Sequence, residues 1–141
     1  MINFRNEDIT VKISGKTDMK SWIRKIILSR KKVPGEITFV FCSDDYLGKM
    51  NMQYLRHQTL TDIITFDYCE GDIVSGDICI SIERVKENAK KFGVSDSEEL
   101  SRVMTHGVLH LLGYKDKTAD EKASIRQMES YYMVDFPGHI G

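Results

Sequence analysis

The sequence predicts an α/β (α+β) fold: a mixed four-stranded sheet packed with about five helices, in a single domain over residues 1–141. Three observations lead there. At 141 residues the chain is sized for one hydrophobic core, and a second domain would be undersized. Strand-like runs gather in the middle of the chain with helical periodicities before and after them, which suits helices layered on a sheet. The composition, 41% hydrophobic and 29% charged, is that of an ordinary soluble globular protein.

The elements follow in chain order. INFRNEDITVKI (2–13) alternates loosely and reads as an opening strand or hairpin. In TDMKSWIRKIILSRKK (17–32), Met19, Trp22, Ile23, Ile26 and Ile27 recur at helical spacing, with Thr17 as N-cap and basic residues at the C-terminal end. Trp22 is the core anchor of that helix. VPGE (33–36) reads as a turn, and EITFVFC (36–42) as a strand whose β-branched and aromatic residues suit a sheet centre.

SDDYLGKMNMQYLRHQ (43–58) opens with capping residues and puts Tyr46, Leu47, Met50 and Tyr54 on one helical face. TDIITFDY (61–68) and GDICISI (76–82) read as strands, and the short, turn-rich CEGDIVS between them favours an antiparallel pair. A helix from about Glu83 to Phe92 ends at Gly93, a left-handed cap. SDSEELSRVMTHGVLHLLG (95–113) is a helix capped by Ser95 with acidic residues in its first turns. The last helix, TADEKASIRQMESYYM (118–133), begins at the Thr118 and Asp120 caps.

Composition excludes several classes of protein. No apolar run approaches the roughly 20 residues that cross a bilayer, and the N-terminus lacks a signal-peptide pattern, so a cytoplasmic location without membrane contact is expected. Cys42, Cys69 and Cys79 are odd in number, contain no C-x-x-C pair and lie in apolar runs. They read as buried small hydrophobes, not as disulfides or a zinc ribbon. The net charge of −1 gives no global attraction for phosphate backbones. The local basic runs RKIILSRKK (24–32) and RVKENAKK (84–91) are either solvated helix faces or part of a groove for RNA.

The most informative stretch is HGVLHLLGYKD (106–116). On a helix, Leu100, Val103, Met104, Gly107, Val108, Leu111 and Leu112 share a broad apolar arc, and His106 and His110 stand one turn apart at its border. Gly113 permits an abrupt helix end, so Asp116 can return toward the two imidazoles. Two histidines four apart on a helix are, taken alone, more often packed or solvated than metal-bound. The glycine turn and the acidic residue favour a three-ligand metal site with a coordination position left for water. The spacing H-x-x-x-H-x-x-G-x-x-D also resembles the metal helix of metzincin-type zinc proteases. Position 107 is Gly, however, where those proteases place their general-base glutamate.

With these residues in view, the chain resembles the YbeY family of metal-dependent endoribonucleases. The family signature is close to H-G-x-L-H-L-x-G-Y-D-H, and His106, Gly107, Leu109, His110, Leu111, Gly113 and Tyr114 agree with it. A second block, close to N-x-x-Y-R-x-x-x-x-x-T-D-V-L-S-F, stands here as NMQYLRHQTLTDIITF, one residue longer between Tyr54 and Arg56. Asn51, Thr61, Asp62 and Phe66 match as well. A third, G-D-I-x-I-S, is GDICIS (76–81). One departure concerns the ligands: the family's third is usually histidine, whereas here Asp116 holds that place and Lys115 replaces the preceding aspartate.

The resemblance implies a single-strand-specific endoribonuclease acting in ribosomal RNA processing, including late small-subunit 3′-end maturation, and in ribosome quality control. It implies one Zn2+ per chain on His106, His110 and Asp116, a harder ligand set than three imidazoles. It also implies that Arg56 is catalytic, a guanidinium suited to the charge that builds on phosphate. The expected partners are single-stranded ribosomal RNA precursor and the small ribosomal subunit; DNA is not expected. Asp62 and Asp77 either orient a ligand's second ring nitrogen or cap turns at strand starts. The strand at 61–68 offers an edge for an extended RNA strand or, in a protease, a peptide. Two alternatives stand beside the nuclease: a zinc metalloprotease, which Gly107 disfavours, and a non-enzymatic ribosome assembly factor with a structural metal, which the three-ligand count disfavours.

Overall fold

The computed structural model describes residues 1–55 and 62–141, with side chains up to Gln53 in the first segment. Its central sheet has the order β1-β3-β5-β4, from β1 (Ile2–Asn6), β3 (Val33–Cys42), β5 (Ile73–Ser81) and β4 (Ile63–Asp67). β1 and β5 run parallel to β3, whereas β4 is antiparallel to β5 and forms an edge. A small second sheet pairs β2 (Ile13–Ser14) with β6 (His139–Ile140). The helices are α1 (Lys16–Ser29), α2 (Asp44–Met50), α3 (Ile82–Phe92), α4 (Asp96–Leu111) and α5 (Ala119–Met133). The mixed four-stranded sheet with five helices is therefore as expected, and a π-helical turn at Asn51–Leu55 extends α2.

Alternation along the strands divides the core between two faces. Ile37, Phe39 and Phe41 of β3 and Ile78 and Ile80 of β5 meet α1 and α4 on one face. Val40, Cys42, Cys79 and Ile64 meet Leu47 of α2 on the other. Each fully buried Ile, Leu or Phe contributes about 1.5–3 kcal/mol, so the larger cluster dominates stability. Trp22 of α1 is buried there, donating its indole N–H to the Tyr132 carbonyl at 2.9 Å and meeting Phe136 edge-on. Cys42 and Cys79 are buried free thiols, their pKa values pushed by burial to about 12 and about 11, and Cys69 is half-buried. Among the described residues no helix is long and apolar enough to cross a membrane.

Four local expectations are corrected. The opening segment forms no hairpin: β1 pairs with β3, and β2 waits for the C-terminal β6. α1 starts before Thr17, because the Met19 amide already bonds to the Gly15 carbonyl at 2.8 Å and Gly15 is the N-cap. VPGE is not a turn but the first part of β3. Pro34 is tolerated because this stretch runs past the end of β1, whose Ile2 pairs with Ile37, and the register against β5 shifts between Pro34 and Ile37. The reversal lies just before, where Lys31 has φ 60°. Finally, β5 already begins at Ile73, so the β4–β5 turn is shorter than CEGDIVS suggests.

Candidate metal centre

α4 is the spine of the site. Ser95 caps it by accepting the Glu98 amide, and Asp96, Glu98 and Glu99 in the first turn suit the positive helix end. Its middle lies against the sheet at Gly107, where an added Cβ would stand 2.8 Å from Ile78 Cγ2 and 2.9 Å from Ile63 Cδ1. Position 107 therefore faces the sheet, away from the cluster that His106 and His110 form. A glutamate base there would meet the β4–β5 floor instead of a substrate.

The helix ends in a Schellman motif. The Gly113 amide bonds to the His110 carbonyl at 3.0 Å, and the Tyr114 amide to the Leu109 carbonyl at 3.1 Å. Gly113 takes φ 98°, a left-handed value that a side chain would resist. This reversal returns Asp116 to the exposed border of α4. His106 Nε2 lies 2.9 Å from His110 Nε2 and 3.2 Å from Asp116 Oδ2, and His110 Nε2 lies 3.6 Å from the same oxygen.

The three donors lie within 4.8 Å of one another, the one such group among the described residues. Tetrahedral bonds of about 2.0–2.1 Å put donors roughly 3.4 Å apart, so the residues present fit a small divalent cation. His106 Nδ1 donates to Glu129 Oε2 at 2.6 Å, leaving Nε2 as the free lone pair. That is the carboxylate support a metal-bound imidazole needs. Burial works against charge on His106, but the hydrogen bond and charge of Glu129 outweigh it and hold its pKa above the ordinary value. His110 is pushed below its ordinary value by burial and by His106.

Glu129 itself is buried on α5 and is held by Arg102, whose Nη1 lies 3.5 Å from Glu129 Oε1. Arg102 Nε also lies 3.8 Å from Glu99 Oε1. Glu99 is only 3% exposed, and burial raises its pKa to about 7 despite Arg102. Beside these groups a cavity of about 330 Å³ opens between β4, α3, α4 and α5.

Of the residues singled out from the sequence, His106, His110 and Asp116 come together. Asp62 lines the cavity beside His106, its pKa raised by burial, but it does not take the ring-orienting role. Asp77 points to the other face of the sheet, lining a groove with Arg5 and Tyr46, and orients no ligand. Arg56 and His57 lie outside the described residues. His139 sits beside Ser97, with Nδ1 at 3.3 Å from its hydroxyl and away from the cluster.

Glu129, Arg102 and Glu99 were not found by sequence reasoning. One signal existed: Glu129 stands between Ile125 and Tyr132 on the buried stripe of α5, and Glu99 adjoins the apolar stripe of α4. A carboxylate at a core position asks for a partner.

The model of the family described as endoribonuclease YbeY matches residues 1–136. A Flavobacterium psychrophilum protein named endoribonuclease YbeY is 52% identical over 129 residues, covering 92% of this chain and 91% of its own. One from Flavobacterium johnsoniae is 48% identical over 136 residues, covering 96% and 97%. A solution structure from Thermotoga maritima is similar with a TM-score of 0.66 at 25% identity, covering 94% of this chain and 87% of that one.

Proposed function

This chain belongs to the YbeY endoribonuclease family, and on that premise we propose that it is a metal-dependent endoribonuclease of ribosomal RNA maturation. In this reading residues 1–141 form one endoribonuclease domain. It cuts single-stranded RNA in late 3′-end maturation of small-subunit ribosomal RNA and in ribosome quality control. It works in the cytoplasm beside the small ribosomal subunit, without a membrane or DNA.

The observation that carries the reading is the convergence of His106, His110 and Asp116 beside a cavity bounded by an edge strand. We assign one Zn2+ to these donors. When bound, the ion supplies Lewis acidity toward a phosphoryl oxygen and lowers the pKa of a water. The remaining work belongs to the chain. Glu129 keeps the His106 Nδ1 proton in place and so fixes which nitrogen faces the centre. The Schellman turn holds Asp116 across from the two imidazoles. Arg56 neutralises charge building on the phosphate.

A protease reading is weakened by the orientation of position 107 toward the sheet. A purely structural metal would call for a fourth protein donor, and the converging group among the described residues has three. The test is cleavage of a defined single-stranded RNA by highly purified protein. Arg56→Ala should slow cleavage about 10²–10³-fold, the usual loss for one charge-stabilising donor, with unchanged fold and metal content. An unchanged rate would remove Arg56 from the mechanism.

A further inference from the structure

The cavity reaches well beyond the metal ligands, and the proposed chemistry leaves most of its wall unused. Its volume of about 330 Å³ is at the small end of ligand-binding cavities, roughly 300–1,000 Å³. Two features of that wall are not explained by packing. Phe92, the last residue of α3, is 58% exposed at its rim. Lys122 and Arg126 of α5 stand one turn apart on the opposite wall, and neither has an ion pair with a described residue.

Each feature is idle without a ligand. An exposed aromatic ring beside paired cations is the combination that holds a single-stranded nucleic acid, by base stacking and backbone attraction. Lys91, the end of the basic run 84–91, stands 5.8 Å from the Phe92 ring centroid and adds positive charge at the same rim. His106 and Asp116 line the same cavity, so a nucleotide held in it adjoins the metal ligands.

We propose that this cavity is a nucleotide subsite adjoining the cleavage centre. Phe92 stacks the base, and Lys122 and Arg126 hold a phosphate neighbouring the scissile one. The assignment rests on the endoribonuclease reading and adds to it where the strand runs: from the β4 edge across α4 to the face between α3 and α5.

The test is steady-state cleavage of a single-stranded oligoribonucleotide by metal-loaded protein at several salt concentrations. Phe92→Ala and Phe92→Leu should each raise KM about fivefold or more, the lower end of base–aromatic stacking, with kcat and metal content near wild type. Phe92→Trp should retain the wild-type KM. Lys122→Ala combined with Arg126→Ala should raise KM and flatten the slope of log KM against log salt by about 0.7, the value for one phosphate contact on a single strand. All three positions carry exposed side chains, and circular dichroism should show an unchanged fold.

A wild-type KM in Phe92→Leu would overturn the stacking role. Wild-type KM and salt slope in the double variant would overturn the phosphate role. In either case continued cleavage by the wild type leaves the nuclease reading standing. If the pure, metal-loaded wild type neither cleaves nor binds RNA, the nuclease reading fails and the subsite falls with it.

Discussion

The two ends of α4 carry polar groups built in opposite ways. At the C-terminal end, His106 and His110 sit one turn apart and Asp116 follows through a turn, so eleven residues of continuous chain hold all three donors. At the N-terminal end, Glu99 and Arg102 depend on α5, through Glu129, 27 residues beyond Arg102. The first arrangement is local and half-exposed. The second is assembled by tertiary packing and is buried. Glu129 joins them, one carboxylate oxygen on His106 and the other toward Arg102. Donors for a cation can thus be set by a helix and its cap alone, whereas the charge that fixes a donor's tautomer comes here from another helix of the fold.

The comparison breaks first at Glu129. Glu129→Gln keeps the shape and removes the charge shared by the two ends. Metal affinity should fall about 10–100-fold, the usual loss on disturbing the group behind a metal-bound histidine, read by competition with a chromophoric chelator. Wild-type affinity would mean that the two ends are independent.

Glu99→Gln sharpens the other side. The folded pKa of Glu99 is about 7, above the ordinary glutamate value. Its contribution is therefore fully present below the unfolded pKa near 4.5 and is lost as pH rises through about 7. Wild type should weaken from pH 5 to pH 8 relative to Glu99→Gln by about 2 kcal/mol, measured by urea denaturation at both values. A pH-independent difference would show that Glu99 titrates normally.

The smallest effect belongs to the middle of the helix. Gly107→Ala gains about 0.5–1 kcal/mol of helix propensity. It also places a methyl 2.8–2.9 Å from two isoleucine side chains, an overpacking that costs about 1–3 kcal/mol. The net should be a loss of about 1 kcal/mol with metal content unchanged. A stabilised variant would mean that α4 can lift from the sheet freely.

The same contrast explains what could be read from the sequence. Three helix starts were legible because they carry their own chemistry: Ser43, Ser95 and Thr118 each accept a bond from the backbone amide three residues on. The metal donors were legible for the same reason, since 3.6-residue periodicity and Gly113 act within a few residues. The start of α1 was not, because Gly15 is placed by β2 and β6, which join residues more than a hundred apart. Nor was the strand character of Val33–Glu36, where turn-forming residues are overridden by pairing with β5. Glu129 belongs with these. Its role depends on α5 lying against α4, and nothing within α5 names His106 as its partner.

Elemental analysis of purified wild type and His110→Ala for divalent metal is the decisive experiment on the His106–His110–Asp116 centre. About one ion per wild-type chain and almost none in the variant are expected, with RNA cleavage lost alongside it. Full metal content in His110→Ala, or active wild type holding no divalent metal, would contradict that assignment.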